Sequence, residues 1–252
     1  STNNGVGVAG LAFGARLMPV KVLSANGWGT TSGVAAGIRW AADHGAQVIN
    51  LSLGSPRDSI ILQRAIDHAR SRGAIVVAAA GNSGGSVGFP GASKGVIGVS
   101  ATDANDGLAW FSSRGKGVDI AAPGVNVLQQ TICERGRNGC EIFGSYNGTS
   151  MASPHVAAAA ALLVSLGVTD ADKVESYLTG SAKRLDGDSD RHKFGAGRLD
   201  VAATAAHVTM VQTLTRLAML LLMSLLAFRW ARKRDNAITT DPSSPLLVFG
   251  AL

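Results

Sequence analysis

With 252 residues, 46% of them apolar, the chain is long enough to bury one good-sized core, and its 32 glycines suit a fold with many tight turns. The formal charge of +6 is spread along the sequence: residues 1–207 hold 18 basic and 15 acidic groups, and residues 208–252 hold 5 and 2. No face-like run of Lys and Arg occurs in the first 207 residues, which argues against nucleic acid as a partner.

In chain order, residues 17–23 read as a strand, 31–44 as an amphipathic helix closed by Gly45, and 48–53 as a second strand. Residues 59–72 read as a helix closed by Gly73, and 75–80 as a continuous apolar strand. Short apolar strands alternating with capped helices predict an α/β fold, a doubly wound parallel sheet with helices on both faces. Functional residues then belong at the carboxyl ends of the strands, where Ser52 and Asn82 fall. A long helix of mostly alanine and leucine, 150–166, is expected to run through the core.

Gly148, Thr149, Ser150, Met151, Ala152, Ser153, Pro154 and His155 lead directly into that helix. Glycine permits a tight turn, and a serine at a helix start lies among unsatisfied N–H groups and the positive dipole end, a setting that suits a developing oxyanion. A Ser/Thr pair alone before such a helix is an ordinary N-cap. Eight residues in register weigh against that reading, as do further matches along the chain. Together they resemble the nucleophile motif of the subtilisin-like serine proteases, the subtilases, with Ser150 as the nucleophile.

Those further matches fall in the family's order. Val48, Ile49, Asn50, Leu51, Ser52, Leu53 and Gly54 resemble the strand whose end lines one side of the substrate groove. Ala78, Ala79, Ala80, Gly81, Asn82, Ser83 and Gly84 resemble the opposite wall, with Asn82 as oxyanion donor. Phe111 to Gly115, Ala121 to Gly124 and Gly195 to Val201 resemble later core segments, so the likeness covers about four fifths of the chain. It implies a substrate lying extended against Ser52, Leu53 and Gly54, facing Ala79, Ala80 and Gly81. It also implies an open, uncharged pocket floored at Gly88 for large apolar side chains, with Phe89-Pro90 a cis peptide.

The same resemblance implies a catalytic Asp and a His-Gly-Thr-His-Val-Ala-Gly helix, and neither motif occurs in these 252 residues. Thr2 to Val8 resemble the loop after that helix, so the expectation is a catalytic domain truncated at its N-terminus, with a missing N-terminal segment as partner. The chain alone is expected to be inactive. The alternative is a non-catalytic, membrane-anchored peptide-binding pseudoprotease, or half of a split enzyme. Thr2, Asn4, Val6 and Val8 represent part of a calcium loop, so the resemblance implies a structural calcium; the chemistry itself requires no cofactor. His44, His68, His155, His192 and His207 have no precedent as base, and His44 and His68 stand near helix ends where a ring meets terminal carbonyls.

Cys133 and Cys140 flank a Gly- and Arg-containing loop; a local disulfide is the expected reading, and it favours an oxidising compartment. Residues 1–207 are read as the catalytic portion, 208–228 as a spanning helix and 229–252 as a short basic tail. Twenty-one residues make about 31 Å of helix against about 30 Å of hydrocarbon. Thr209, Gln212, Thr213, Thr215 and Arg216 interrupt the first half, so a helix packed on the domain is the competing reading. Arg229, Arg232, Lys233 and Arg234 follow the apolar run at once, which points to a membrane anchor, an extracytoplasmic domain and a cytoplasmic C-terminus.

Overall fold

The computed structural model describes residues 5, 7–131, 143–185 and 191–235, with side chains through 232 in the last stretch. In chain order these form α1 (Thr31–Asp43), β1 (Val48–Leu51), α2 (Ile60–Ser71), β2 (Ile75–Ala79), β3 (Val96–Thr102) and β4 (Ile120–Pro123). They continue as β5 (Val127–Gln130), β6 (Phe143–Tyr146), α3 (Thr149–Ser165), α4 (Ala171–Gly180), α5 (Arg191–Phe194) and α6 (Val201–Asp235). Strands β1 to β4 make one parallel sheet in the order β1-β2-β3-β4, and β5 with β6 forms an antiparallel pair.

Successive strand residues point to opposite faces, and the apolar composition of the strands serves both. Ile75, Val77, Ile97, Val99 and Ala101 pack with Ala152, Val156 and Leu163 of α3. Val76, Ala78, Ile49 and Leu51 pack on the other side with Ile38 of α1 and Leu62 and Ile66 of α2. Each fully buried Val or Ile contributes about 1.5–3 kcal/mol from burial, so both helix layers are held by the same sheet. The predicted doubly wound sheet is the observed one.

The element ends follow local chemistry. Thr30 caps α1, its hydroxyl accepting the Gly33 N–H at 3.0 Å. Gly45 and Gly73, at φ +83° and +82°, take the left-handed turn that stops α1 and α2. Ser59 occupies the N-cap position of α2 without a side-chain cap bond.

One expected strand is absent. Residues 17–23 join no ladder among the described residues, and Leu17 is 89% exposed. An apolar run becomes a strand only when its backbone finds a partner. Here the segment stands across a trough of about 1640 Å³ from β1, walled by α1 and by Ala161, Leu162 and Val164 of α3. Among the described residues β1 is likewise an edge, paired on one side only, to β2. Val20 and Val22 still rest against the α1/α2 layer.

The chain divides into two compact units, Ser1–Val208 and Thr209–Leu252. Within the first, Thr204 and Val208 are buried. In the second, the described residues are helical, and Leu217, Leu220, Leu221, Leu222, Leu225, Leu226 and Phe228 are all exposed.

Gly98 in the middle of β3 marks a close backbone approach. A Cβ there would stand 1.9 Å from Gly117 O and 2.7 Å from Gly91 O, both main-chain atoms. Gly98→Ala is therefore expected to lose at least about 1–3 kcal/mol through overpacking. Urea unfolding of the two proteins checks this, and an unchanged midpoint would contradict it.

Candidate active site

Helix α3 begins where three strand ends meet. Gly148, just before it, has φ +154° and ψ 155°, a conformation open essentially to glycine. Its N–H donates to the carbonyl of Gly124, the residue after β4, at 2.8 Å. The next residue, Thr149, is fully buried, and both its backbone N–H and its hydroxyl donate to Asn82 Oδ1 at 2.9 Å. Thr149 Oγ1 in turn accepts the Gly81 N–H at 3.1 Å. Gly81 and Asn82 lie two and three residues past the end of β2, so this threonine ties α3 to that strand.

These bonds orient the Asn82 amide. A backbone N–H only donates, so the oxygen of the side chain must face Thr149 and Nδ2 must face away. A Cβ placed on Gly148 would stand 3.4 Å from that Nδ2, so glycine leaves the donor unobstructed.

The third tie runs to β1. Pro154 has no N–H, so the carbonyl four residues back, on Ser150, has no partner within the helix. Ser52, the residue after β1, fills the gap, its Oγ donating to Ser150 O at 2.8 Å. Asn50 Nδ2 donates to Ser52 Oγ at 3.0 Å, and Ser153 Oγ donates to Asn50 Oδ1 at 2.6 Å. Both hydroxyl hydrogens in this relay have an assigned acceptor, which holds the first turn of α3 on the end of β1.

Ser150 itself is half-buried, and its Oγ donates only a long 3.4 Å contact to Ser52 O. Met151 and Ala152 direct their N–H groups to Gly148 O, while the Ser150 N–H finds no acceptor among the described residues. Two donors, the Ser150 N–H within the turn that presents the hydroxyl and Asn82 Nδ2 beside it, thus flank the hydroxyl's residue. Such a pair suits a negatively charged oxygen formed by attack of that hydroxyl on a carbonyl.

A family model described as the subtilase family matches residues 1–197. The chain belongs to the subtilase family. It is 51% identical over 162 residues to Subtilisin Savinase of Lederbergia lenta, covering 64% of this chain and 58% of that protein. It is 42% identical over 203 residues to Alkaline elastase YaB of Bacillus sp. (strain YaB), covering 80% of this chain and 51% of that one. The solved protease of Pseudoalteromonas arctica PAMC 21717 superposes with a TM-score of 0.75 at 36% identity, over 82% of this chain and 67% of its own. The chain thus spans about half the length of the curated relatives it matches.

The residues expected to line a substrate groove in this subtilase have unequal parts in the fold. Leu53 and Gly54 engage no backbone hydrogen bond among the described residues, and Gly54 is exposed. On the facing wall, Ala79 and Ala80 are buried. Ala80 N–H donates to Val99 O and its carbonyl accepts Gly88 N–H, both at 2.9 Å; the Gly81 carbonyl accepts Ser113 N–H at 2.8 Å. Ala80 and Gly81 therefore shape that wall while their own polar groups are taken up by the fold. Gly88 lies between the walls, where a Cβ would stand 3.0 Å from Ser55 O, and the Phe89-Pro90 peptide is cis.

Three histidines are anchored away from Ser150 through ring nitrogens. His155 Nδ1 meets Met151 O at 2.8 Å, His44 Nδ1 meets Trp40 O at 2.8 Å, and His207 Nδ1 meets Ser181 Oγ at 3.2 Å. His68 differs from the helix-end expectation: its ring pairs with Asp43 at 2.7 Å rather than with a carbonyl. That bond, with Arg72 close by, holds the Asp43 carboxyl below its ordinary range.

Thr2, Asn4 and Val6 lie outside the described residues, as do Cys133 and Cys140; Val8 is described and half-buried. Ca²⁺ takes six to eight oxygens, carboxylates among them. Thr2, Asn4, Val6 and Val8 bring no carboxylate and do not fit the ion on their own.

Asn50, Ser153 and the clamping role of Thr149 were not singled out from sequence. The legible signal was Pro154 four residues after Ser150, which demands an outside donor for one carbonyl. Ser52→Ala is expected to cost about 1–3 kcal/mol by orphaning that carbonyl. In a Pro154→Ala background the new N–H reaches it, and the cost should fall to less than half. A four-protein urea cycle measures the coupling; equal losses in both backgrounds would contradict the relay.

Proposed function

We propose that this chain carries the nucleophile and oxyanion half of a serine endopeptidase that cleaves peptide bonds through an acyl-enzyme. The observation that supports this most is the orientation of Asn82, whose oxygen is committed to Thr149 and whose Nδ2 is thereby directed outward beside the Ser150 turn. Ser150 Oγ attacks the scissile carbonyl. Its oxygen becomes an anion held by Asn82 Nδ2 and the Ser150 N–H, the amine leaves with a proton, and water then releases the acyl group.

The base, and the carboxylate that orients it, come in this reading from polypeptide beyond these 252 residues. The trough beside β1 supports it, since an edge strand, an unpaired segment at 17–23 and apolar walls leave room for further backbone there. The peptide substrate lies extended along Leu53 and Gly54, which follow β1, adding main-chain hydrogen bonds to the free backbone groups of those two residues. Its apolar side chain preceding the cleaved bond enters between the walls over Gly88.

The second unit is proposed as a membrane anchor, with the first unit outside and the tail inside. The helical stretch Val201–Arg232 is long and apolar enough to cross a bilayer, and the cations that follow the apolar run favour the cytoplasmic side.

The test uses a chromogenic peptide with phenylalanine before the scissile bond. The chain alone should show background hydrolysis, since the oxyanion site without its base gives far less than a working protease. Co-expression with a segment carrying the family's Asp and His motifs should restore turnover, and Ser150→Ala should abolish it. In the restored enzyme Asn82→Ala should lower kcat by about 10- to 150-fold, one hydrogen bond to a charged group. Turnover that survives Ser150→Ala would refute the assignment, and tight peptide binding with no turnover after complementation would favour a binding module.

A further inference from the structure

The cations at the end of α6 have a chemistry that goes beyond orienting an anchor. Arg229, Arg232, Lys233 and Arg234 place four cations within six residues, and Asp235, the first acid after Asp200, follows them to leave a local excess of three positive charges. Arg229 stands three and four residues before Arg232 and Lys233, the spacing of one helix face. The Arg232 guanidinium lies over the Phe228 ring at 5.3 Å from its centroid, and Trp230 is exposed. Aromatic rings favour the headgroup level of a bilayer, and a cation over a ring at that depth is held close to the lipid phosphates.

We propose that residues 228–234 form a collar that binds anionic phospholipid headgroups selectively over zwitterionic ones. This rests on the reading of the second unit as a membrane anchor. A zwitterionic headgroup has no net charge to set against four crowded cations, whereas each anionic headgroup relieves their mutual repulsion. Each cation at such a surface favours the anionic lipid by about fivefold. The charges also stand at the carboxyl end of the helix, where its dipole adds to their retention.

Trp230 serves as the reporter. The full chain is reconstituted in mixed phosphatidylcholine and phosphatidylglycerol vesicles in which one lipid or the other carries brominated acyl chains. The Trp230 signal is isolated by difference from Trp230→Phe, because Trp28, Trp40 and Trp110 lie in the first unit. Brominated phosphatidylglycerol should quench Trp230 with at least about a fivefold association preference over brominated phosphatidylcholine. Raising the salt should weaken that preference.

Replacing all four cations by Gln should equalise the two lipids while quenching persists. Arg229→Lys, Arg232→Lys and Arg234→Lys together should retain the preference, which separates charge from any general damage to the helix. Equal quenching by both lipids in the unaltered chain would overturn the collar while leaving the anchor intact. No quenching by either would overturn the anchor and the collar with it.

Discussion

The clamping of the first turn of α3 by three strand ends is the constraint on which the rest of the site depends. Gly124 holds Gly148, Gly81 and Asn82 hold Thr149, and Ser52 holds the Ser150 carbonyl. A serine on a free helix end would sample many positions, and a misplacement of about 1 Å can cost a hundredfold in rate. Here the positions are set by backbone and short side chains, which have little freedom left to lose. The same bonds orient the Asn82 amide, so nucleophile and oxyanion donor are organised by one structure.

The sheet exists in the form that makes this meeting point. Four parallel strands bring their carboxyl ends to one edge, and α3 packs against all four of them. Parallel strands with both faces covered favour apolar side chains, and β2 and β3 are buried throughout, with the small polar Ser100 and Thr102 admitted in β3. β1 departs from that pattern: it alternates buried and accessible positions and, among the described residues, has β2 as its one neighbour. The trough at its outer side lies next to Ser52, so whatever pairs with β1 also comes close to the nucleophile turn.

Much of the fold was legible in the residues because its signals are local. Gly45 and Gly73 stop helices, apolar runs mark buried strands, and the eight residues from Gly148 to His155 specify one turn. The run at 17–23 was misread for the complementary reason, since strand formation depends on a neighbour that no window of sequence contains. Asn50 and Ser153 were passed over because their pairing joins residues 103 apart, and nothing in either neighbourhood announces it. The role of Thr149 was hidden differently: as a capping residue it looked ordinary, and only its contact with Asn82 across 67 positions shows what it orients. His68 went to Asp43 on the neighbouring helix for the same kind of reason.

The account is tested most directly by a crystal structure of the complemented enzyme treated with a peptidyl phosphonate, which mimics the tetrahedral oxyanion. The account predicts phosphorus bonded to Ser150 Oγ. It also predicts one phosphonyl oxygen about 2.7–3.1 Å from both Asn82 Nδ2 and the Ser150 N–H, with Asn82 Oδ1 still on Thr149. A phosphonyl oxygen turned away from both donors, an Asn82 amide released from Thr149, or a label on a different residue would contradict it.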